Sequence, residues 1–168
     1  QLLGKQATEF LIENGHKNIL FVPNTTHESL YFERYFGYQK AMMMQGLTVL
    51  PSVALEKPED YMAFDDILHQ NNATALVVID DIFALRTMQL AQIYGYQVPE
   101  TLSIISFNNS IFSTLTHPYL TSIDIDTSEL GRMAMKKLYE LIHEELTNGV
   151  RLVIPHKLIK RETVIPIH

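Results

Sequence analysis

The strongest constraint on the fold is a pair of short apolar runs, residues 76–79 and 102–107. Each stops abruptly at a polar pair, Asp80-Asp81 and Asn108-Asn109. Their length and β-branched content suit parallel strands buried on both faces, which read as near-continuous apolar sequence. In an open α/β sheet, ligands bind just beyond the carboxyl ends of the strands, so the two polar pairs are expected to share one crevice.

The rest of the chain alternates around those runs. Leu3, Ala7, Phe10 and Leu11 recur at helical spacing and Asn14-Gly15 supplies a stop. A strand is expected over 18–22, then a polar loop over 24–29 on the rim where a ligand would sit, and a helix over about 30–45 closing at Gly46. A short strand around 49–54 follows, then a helix opened by Lys57-Pro58-Glu59-Asp60 with Tyr61, Phe64, Ile67 and Leu68 turned inward. The last core helix runs from about 82 to 94 and ends at Gly95. Helices alternating with buried strands imply right-handed crossovers and a parallel sheet.

After Asn109 the alternation fails. Residues 110–119 read as a loop of the length that is often functional, and 120–126 alternate like a strand. Asp126-Thr127-Ser128-Glu129 has the form of a capping box for a helix running to about Thr147, with Gly149 as its stop. Its apolar stripe comprises Leu130, Met133, Ala134, Leu138, Leu141 and Ile142. The tail reads as two short strands, 151–154 and 156–160, bent at Pro155.

At 168 residues the chain has the size of one domain, with 46% hydrophobic and 19% charged residues. The net charge is −6 and no basic run exceeds Lys136-Lys137, so these residues are not expected to bind nucleic acid themselves. No apolar run approaches the ~20 residues that span a bilayer. The absence of cysteine excludes disulfides and thiolate chemistry and is compatible with a reducing cytoplasm. The start lacks Met and has no uninterrupted apolar region, which reads as an excised or processed segment rather than a secretion signal. Seven histidines show neither i, i+4 pairs nor cysteine partners, so no metal site is expected. Hydrolase and phosphate-loop fingerprints are missing; no catalytic residue and no cofactor is expected.

Four residues are candidates for the crevice: Arg34, Asp80, Phe107 and Asn108. Arg34, Gly37 and Ala41 share one helical face, where small residues let the helix approach its sheet and tip Arg34 toward the rim. Its five fixed donors suit several hydroxyl oxygens at once. An arginine taken alone is more commonly a solvated surface residue, and that reading stands beside the binding one. One of Asp80 and Asp81 is expected to cap the following helix, with Asp81 the candidate. The pair could otherwise hold Mg²⁺ in a phosphoacceptor domain, although the third carboxylate such a domain needs is replaced by Asn108-Asn109. Phe107 could stack on a sugar face, or simply belong to the core.

Several of these residues fall into a known order: Gly15-His16-Lys17, Arg34-x-x-Gly37-Tyr38, residues 75–81 with Ala84, Gly95-Tyr96-Gln97-Val98-Pro99-Glu100-x-Leu102-Ser103-Ile104, Phe107-Asn108-Asn109, Pro118-x-Leu120-Thr121-Ser122-Ile123, Leu130-Gly131 and Lys160-Arg161-Glu162-Thr163. The series resembles the lactose/galactose-repressor family of transcription regulators across nearly the whole chain. Asn108-Asn109-Ser110 and Ser122-Ile123-Asp124-Ile125 look most like its maltose-operon branch.

The resemblance implies a periplasmic-binding-protein-like α/β fold, three layers with helices on both faces of a parallel sheet. Residues 1–120 would form the carboxyl-side sugar-sensing lobe, 121–154 a crossover strand, helix and strand of the other lobe, and 155–168 a return to the first. It implies a cytoplasmic homodimeric repressor that senses a small neutral sugar such as maltose. Operator DNA would be met only through an N-terminal helix-turn-helix outside this chain, and no membrane contact is implied. Arg34 matches the family's hydroxyl-clamping arginine. Asp80 stands where Asn is frequent and Asn108 where Asp is frequent, so carboxylate and amide have exchanged places. Ile125 replaces a polar ligand contact of some relatives, and Arg86 a common glycine. An exported sugar-binding protein of the same fold is the alternative from a different class.

Overall fold

A computed structural model describes residues 2–24, 28–115, 117–143 and 153–167. Helix α1 (Leu2–Glu13) leads into strand β1 (Ile19–Val22), and α2 (Glu28–Met44) and α3 (Pro58–Gln70) follow before β2 (Ala75–Val78). Next come α4 (Asp81–Ile93), β3 (Ser103–Phe107), a 3₁₀ turn (Ile111–Thr114), β4 (Thr121–Asp124), α5 (Thr127–Ile142) and β5 (Lys157–Ile159). The five strands form one sheet in chain order, with β1 to β4 parallel and β5 antiparallel on β4. Every residue of β1, β2 and β3 is buried, as their largely apolar sequence demands, with Ser103 and Ser106 of β3 buried among them.

The expected strand at 49–54 is absent as such. That segment runs along the open edge of β1 and makes a single ladder bond, Val53 N–H to Phe21 O at 2.9 Å. Pro51 has no N–H to offer a ladder. The Tyr38 hydroxyl takes over part of the edge, donating to Ile19 O and accepting from Leu50 N–H. Burial raises its pKa.

The chain thus leaves β1 through α2 toward one side and returns through α3 to β2 on the other. Right-handed crossovers in opposite directions put α2 and α3 on opposite faces of the sheet. Consistently, α1 packs on α2, while α3 joins α4 through the Tyr94 hydroxyl bonded to Tyr61 O and the Phe64–Tyr94 ring pair. The direction reverses between β1 and β2, so a crevice is expected at their carboxyl ends.

Other expectations are corrected in detail. Tyr61 lies at the surface rather than inward, while Phe64 and Leu68 are buried as expected. The 110–119 segment is not a plain loop, since it holds the 3₁₀ turn. Asp126 caps α5 by accepting from Glu129 N–H. Helix α5 ends at Ile142 with His143 as its cap, short of the expected end near Thr147. The expected stop at Gly149, residues 25–27 of the rim loop and most of the expected 151–154 strand lie outside the described residues, and 153–154 form no strand. The helix α5 has no buried residue, and its Leu130, Met135, Leu138, Leu141 and Ile142 are exposed.

The tail returns under the sheet. Thr163 O accepts from Ile104 N–H, and the Thr163 hydroxyl bridges Ile104 O and Thr121 N–H. Ile167 N–H donates to Asn14 O, and a Cβ on Gly15, whose φ is +91°, would sit 2.2 Å from Ile167 O. Among the described residues no helix is long and apolar enough to cross a membrane.

Candidate functional site

The crevice forms where β1, β2 and β3 end, as a cavity of about 250 Å³. Arg34, Asp80 and Asn108 all line it, with Asn24, Ile82 and Phe112 around them. Three of the four candidates chosen from the sequence therefore meet at one place, and the fourth lies directly beneath.

Arg34 is only 4% exposed, which excludes the solvated-surface reading. Its guanidinium donates to Ile79 O, the last carbonyl before the acidic pair, and to Asn108 Oδ1 at 2.9 Å. It lies over the Phe107 ring, 4.6 Å from the centroid. Phe107 itself has no exposed surface, so its ring supports the guanidinium instead of facing the cavity. Among the described residues the Arg34 Nε–H is buried without a partner, an uncommon debit in a native interior and one that concentrates at functional sites.

Burial pulls the Arg34 pKa down to about 10 against the attraction of Asp80 and Asp81, so the group is a cation at neutral pH. Its position depends on close helix packing. A Cβ on Gly4 of α1 would come within 1.9 Å of Arg34 O, so only glycine lets α1 approach α2 there.

The acidic pair divides its work in the opposite sense to the expectation. Asp80 is the cap of α4, its side chain accepting from Phe83 N–H at 2.9 Å, and it stays partly exposed toward the cavity. Asp81 is 1% exposed and turned into the protein. Its Oδ1 accepts from the hydroxyls of Ser106 (2.5 Å) and Ser122 (2.8 Å), and its Oδ2 from the N–H (2.6 Å) and hydroxyl (2.7 Å) of Ser110. Fully engaged with protein donors, Asp81 is not free to hold Mg²⁺. Among the described residues no cluster of three or more histidine, aspartate or glutamate side chains is arranged to hold a metal.

Asn108 and Asn109 both have left-handed backbones, φ +100° and +46°. Asn108 N–H donates to Ile123 O and Asn109 N–H to the Ser122 hydroxyl. Asn109 Oδ1 accepts from Arg161. The turn is thus tied to β4 and to the tail while its Asn108 amide meets Arg34. Sequence reasoning missed the serines. The available signal was a serine at 106 within the 102–107 run and at 122 within the expected 120–126 strand, since a buried hydroxyl must find a partner.

Residues 8–164 match the family model of a periplasmic binding protein-like domain. The chain is 32% identical over 163 residues to catabolite control protein A of Priestia megaterium, covering 94% of this chain and 49% of that protein. It is 36% identical over 169 residues to the HTH-type transcriptional repressor PurR of Haemophilus influenzae strain PittEE, covering 96% and 50%. In three dimensions it matches the transcriptional regulator CelR in its cellobiose complex with a TM-score of 0.83 at 27% identity, covering 95% of this chain and 50% of that one. The chain spans about half the length of the curated relatives it matches. None of the three singles out the maltose-operon branch.

Proposed function

The chain belongs to the periplasmic binding protein-like domain family, and from that premise we propose that it is the effector-sensing part of a cytoplasmic DNA-binding transcriptional repressor. Its effector is a small neutral sugar, maltose or a related oligosaccharide. The observation that carries this reading is Arg34, a buried cation at the mouth of the crevice with a donor that no described residue accepts and Asn108 beside it. Asp80 supplies acceptors at the same rim, so the cavity offers both donors and acceptors, as sugar hydroxyls require. Asp80 and Asp81 already balance the guanidinium, which favours a neutral ligand over an anion. Nothing in this reading calls for catalysis.

The resemblance to PurR, named as a transcriptional repressor, and to CelR, named as a transcriptional regulator, favours it over an exported binding protein. Residues 1–120 make the carboxyl-side lobe, 121–154 start in its sheet as β4 beside β3 and cross toward a second lobe supplied by the remainder of the protein, and 155–168 return. The unburied α5 and the antiparallel β5 support that division. Sugar binding between the lobes shifts their arrangement only as far as its affinity differs between arrangements. Operator DNA is contacted elsewhere in the protein, and the protein works as a homodimer. Titration calorimetry on the full-length protein tests the reading with maltose, longer maltodextrins and cellobiose. Saturable heat with a maltodextrin is expected; heat with cellobiose alone removes the maltose assignment, and no heat with any of them removes the sugar.

A further inference from the structure

Asp81 lines the cavity, yet both of its oxygens are taken by protein donors, and among the described residues it is one of the most heavily bonded side chains. Four neutral donors from three separate places converge on one buried carboxylate: the end of β3, the turn after it, and β4. The negative charge is tolerated because Asp81 opens α4, where free N–H groups and the helix dipole favour an anion, and because Arg34 lies within electrostatic reach. Of the three partners, Ser122 does double duty. Its hydroxyl donates to Asp81 and accepts from Asn109 N–H at 3.0 Å.

The Asn108-Asn109 turn is therefore clamped from below on both sides, at Asn109 by Ser122 and at Ser110 by Asp81. Two consecutive asparagines with positive φ hold a conformation that costs free energy and persists only where the surroundings impose it. That conformation carries the Asn108 amide to Arg34.

We infer that Asp81 and Ser122 form a buried positioning device that sets the Asn108-Asn109 turn and, through Asn108, the orientation of the Arg34 guanidinium in the crevice. The inference rests on the sugar-site reading only for its effect on affinity; the geometry of the turn stands apart from it. Asp81 acts through other residues, because its oxygens, though at the cavity wall, are engaged by Ser106, Ser110 and Ser122. The Ser110 N–H cannot reverse its polarity, whereas the three serine hydroxyls can rotate to accept. An amide at position 81 can thus keep its oxygen toward Ser110 and turn its NH₂ toward Ser106 and Ser122, while an alanine satisfies none of them.

The test uses full-length protein carrying Ser122→Ala, Asp81→Asn or Asp81→Ala, and reads amide hydrogen exchange at Asn109 and Ser110 without ligand. Removing one bond in such a clamp is expected to speed exchange there about three- to tenfold in Ser122→Ala, with Asp81→Asn close to wild type and Asp81→Ala faster still. Unchanged exchange at both amides in Ser122→Ala overturns the inference, even if Asp81→Ala fails to fold. The second arm is a double-mutant cycle on sugar affinity. Ser122→Ala should weaken binding about three- to tenfold in the wild type but hardly at all in an Asn108→Ala background. Equal losses in both backgrounds show a general structural role and overturn the link to Arg34. If the wild type binds no sugar, the function proposed above fails while the exchange arm still decides the clamp.

Discussion

Arg34 shows how much one side chain can hold together. Replacing it with alanine removes the donor to Ile79 O and to Asn108 Oδ1 and uncovers the Phe107 ring. Truncating one member of such a buried, charge-bearing set costs on the order of 2–5 kcal/mol in binding, so Arg34→Ala should weaken sugar affinity more than tenfold with the fold retained. Calorimetry beside a thermal melt checks both halves, and unchanged affinity would count against the crevice as the ligand site. His16 makes a separate prediction about stability. Its Nε2 faces Ile165 O at 3.1 Å, an acceptor only, so Nε2 carries the proton and Nδ1 accepts from the Thr74 hydroxyl at 3.0 Å. Burial lowers its pKa below the ordinary 6.5, outweighing the Ile165 bond. The unfolded chain then binds a proton that the folded chain refuses, so this contribution is fully present above pH 6.5 and is lost as pH falls from there through the lowered folded value. Urea midpoints should drop between pH 7.5 and pH 5.5 more steeply in the wild type than in His16→Gln.

At the scale of elements, one kind of substitution should have two signs. In α1, Gly4→Ala drives a methyl into Arg34 O, and the overpacking should cost about 1–3 kcal/mol and also lower sugar affinity by displacing α2. In α5, Gly131 has nothing near its missing Cβ, so Gly131→Ala in the 168-residue chain should gain up to about 1 kcal/mol from helix propensity alone. Urea denaturation of both variants reads the difference. The contrast also marks what a sequence discloses. The strands β1, β2 and β3 were legible because burial on both faces writes a continuous apolar run that polar residues end. Arg34, Asp80 and Asn108 were legible as a group because the ends of parallel strands must lie together. The 49–54 segment misled, since Val49, Leu50, Val53 and Ala54 made it apolar enough for a short strand while Pro51 and a lone backbone bond to Phe21 kept it from becoming one. Asp80 and Asp81 could not be told apart, because which one caps α4 depends on where the chain turns out of β2. Phe107 was ambiguous for a similar reason: the ring at a strand's end can face either core or cavity, and only the position of Arg34 decides it.

Across the whole molecule, α5 is the element that most demands a partner. Its Leu130, Leu138, Leu141 and Ile142 are about half exposed or more, a stripe wider than water tolerates without penalty. The 168-residue chain should associate at micromolar concentration, as a symmetric dimer or by exchanging α5 between copies. Sedimentation of a dilution series checks this, and a monomer of 19.3 kDa at all concentrations would count against it. The tail sets a different requirement, one of timing. The ring of His16 waits for Ile165, 149 positions later, and Asn14 for Ile167. At about 5–20 residues per second of synthesis, that interval is roughly 7–30 s. During it the ribosome has released α1, β1 and β2 while Thr163 is still missing from Ile104 and Ile167 from Asn14. The lobe is therefore sewn shut by its last stitches, and a premature stop codon anywhere before Thr163 would leave the nascent sheet open at its base however complete its crevice had become.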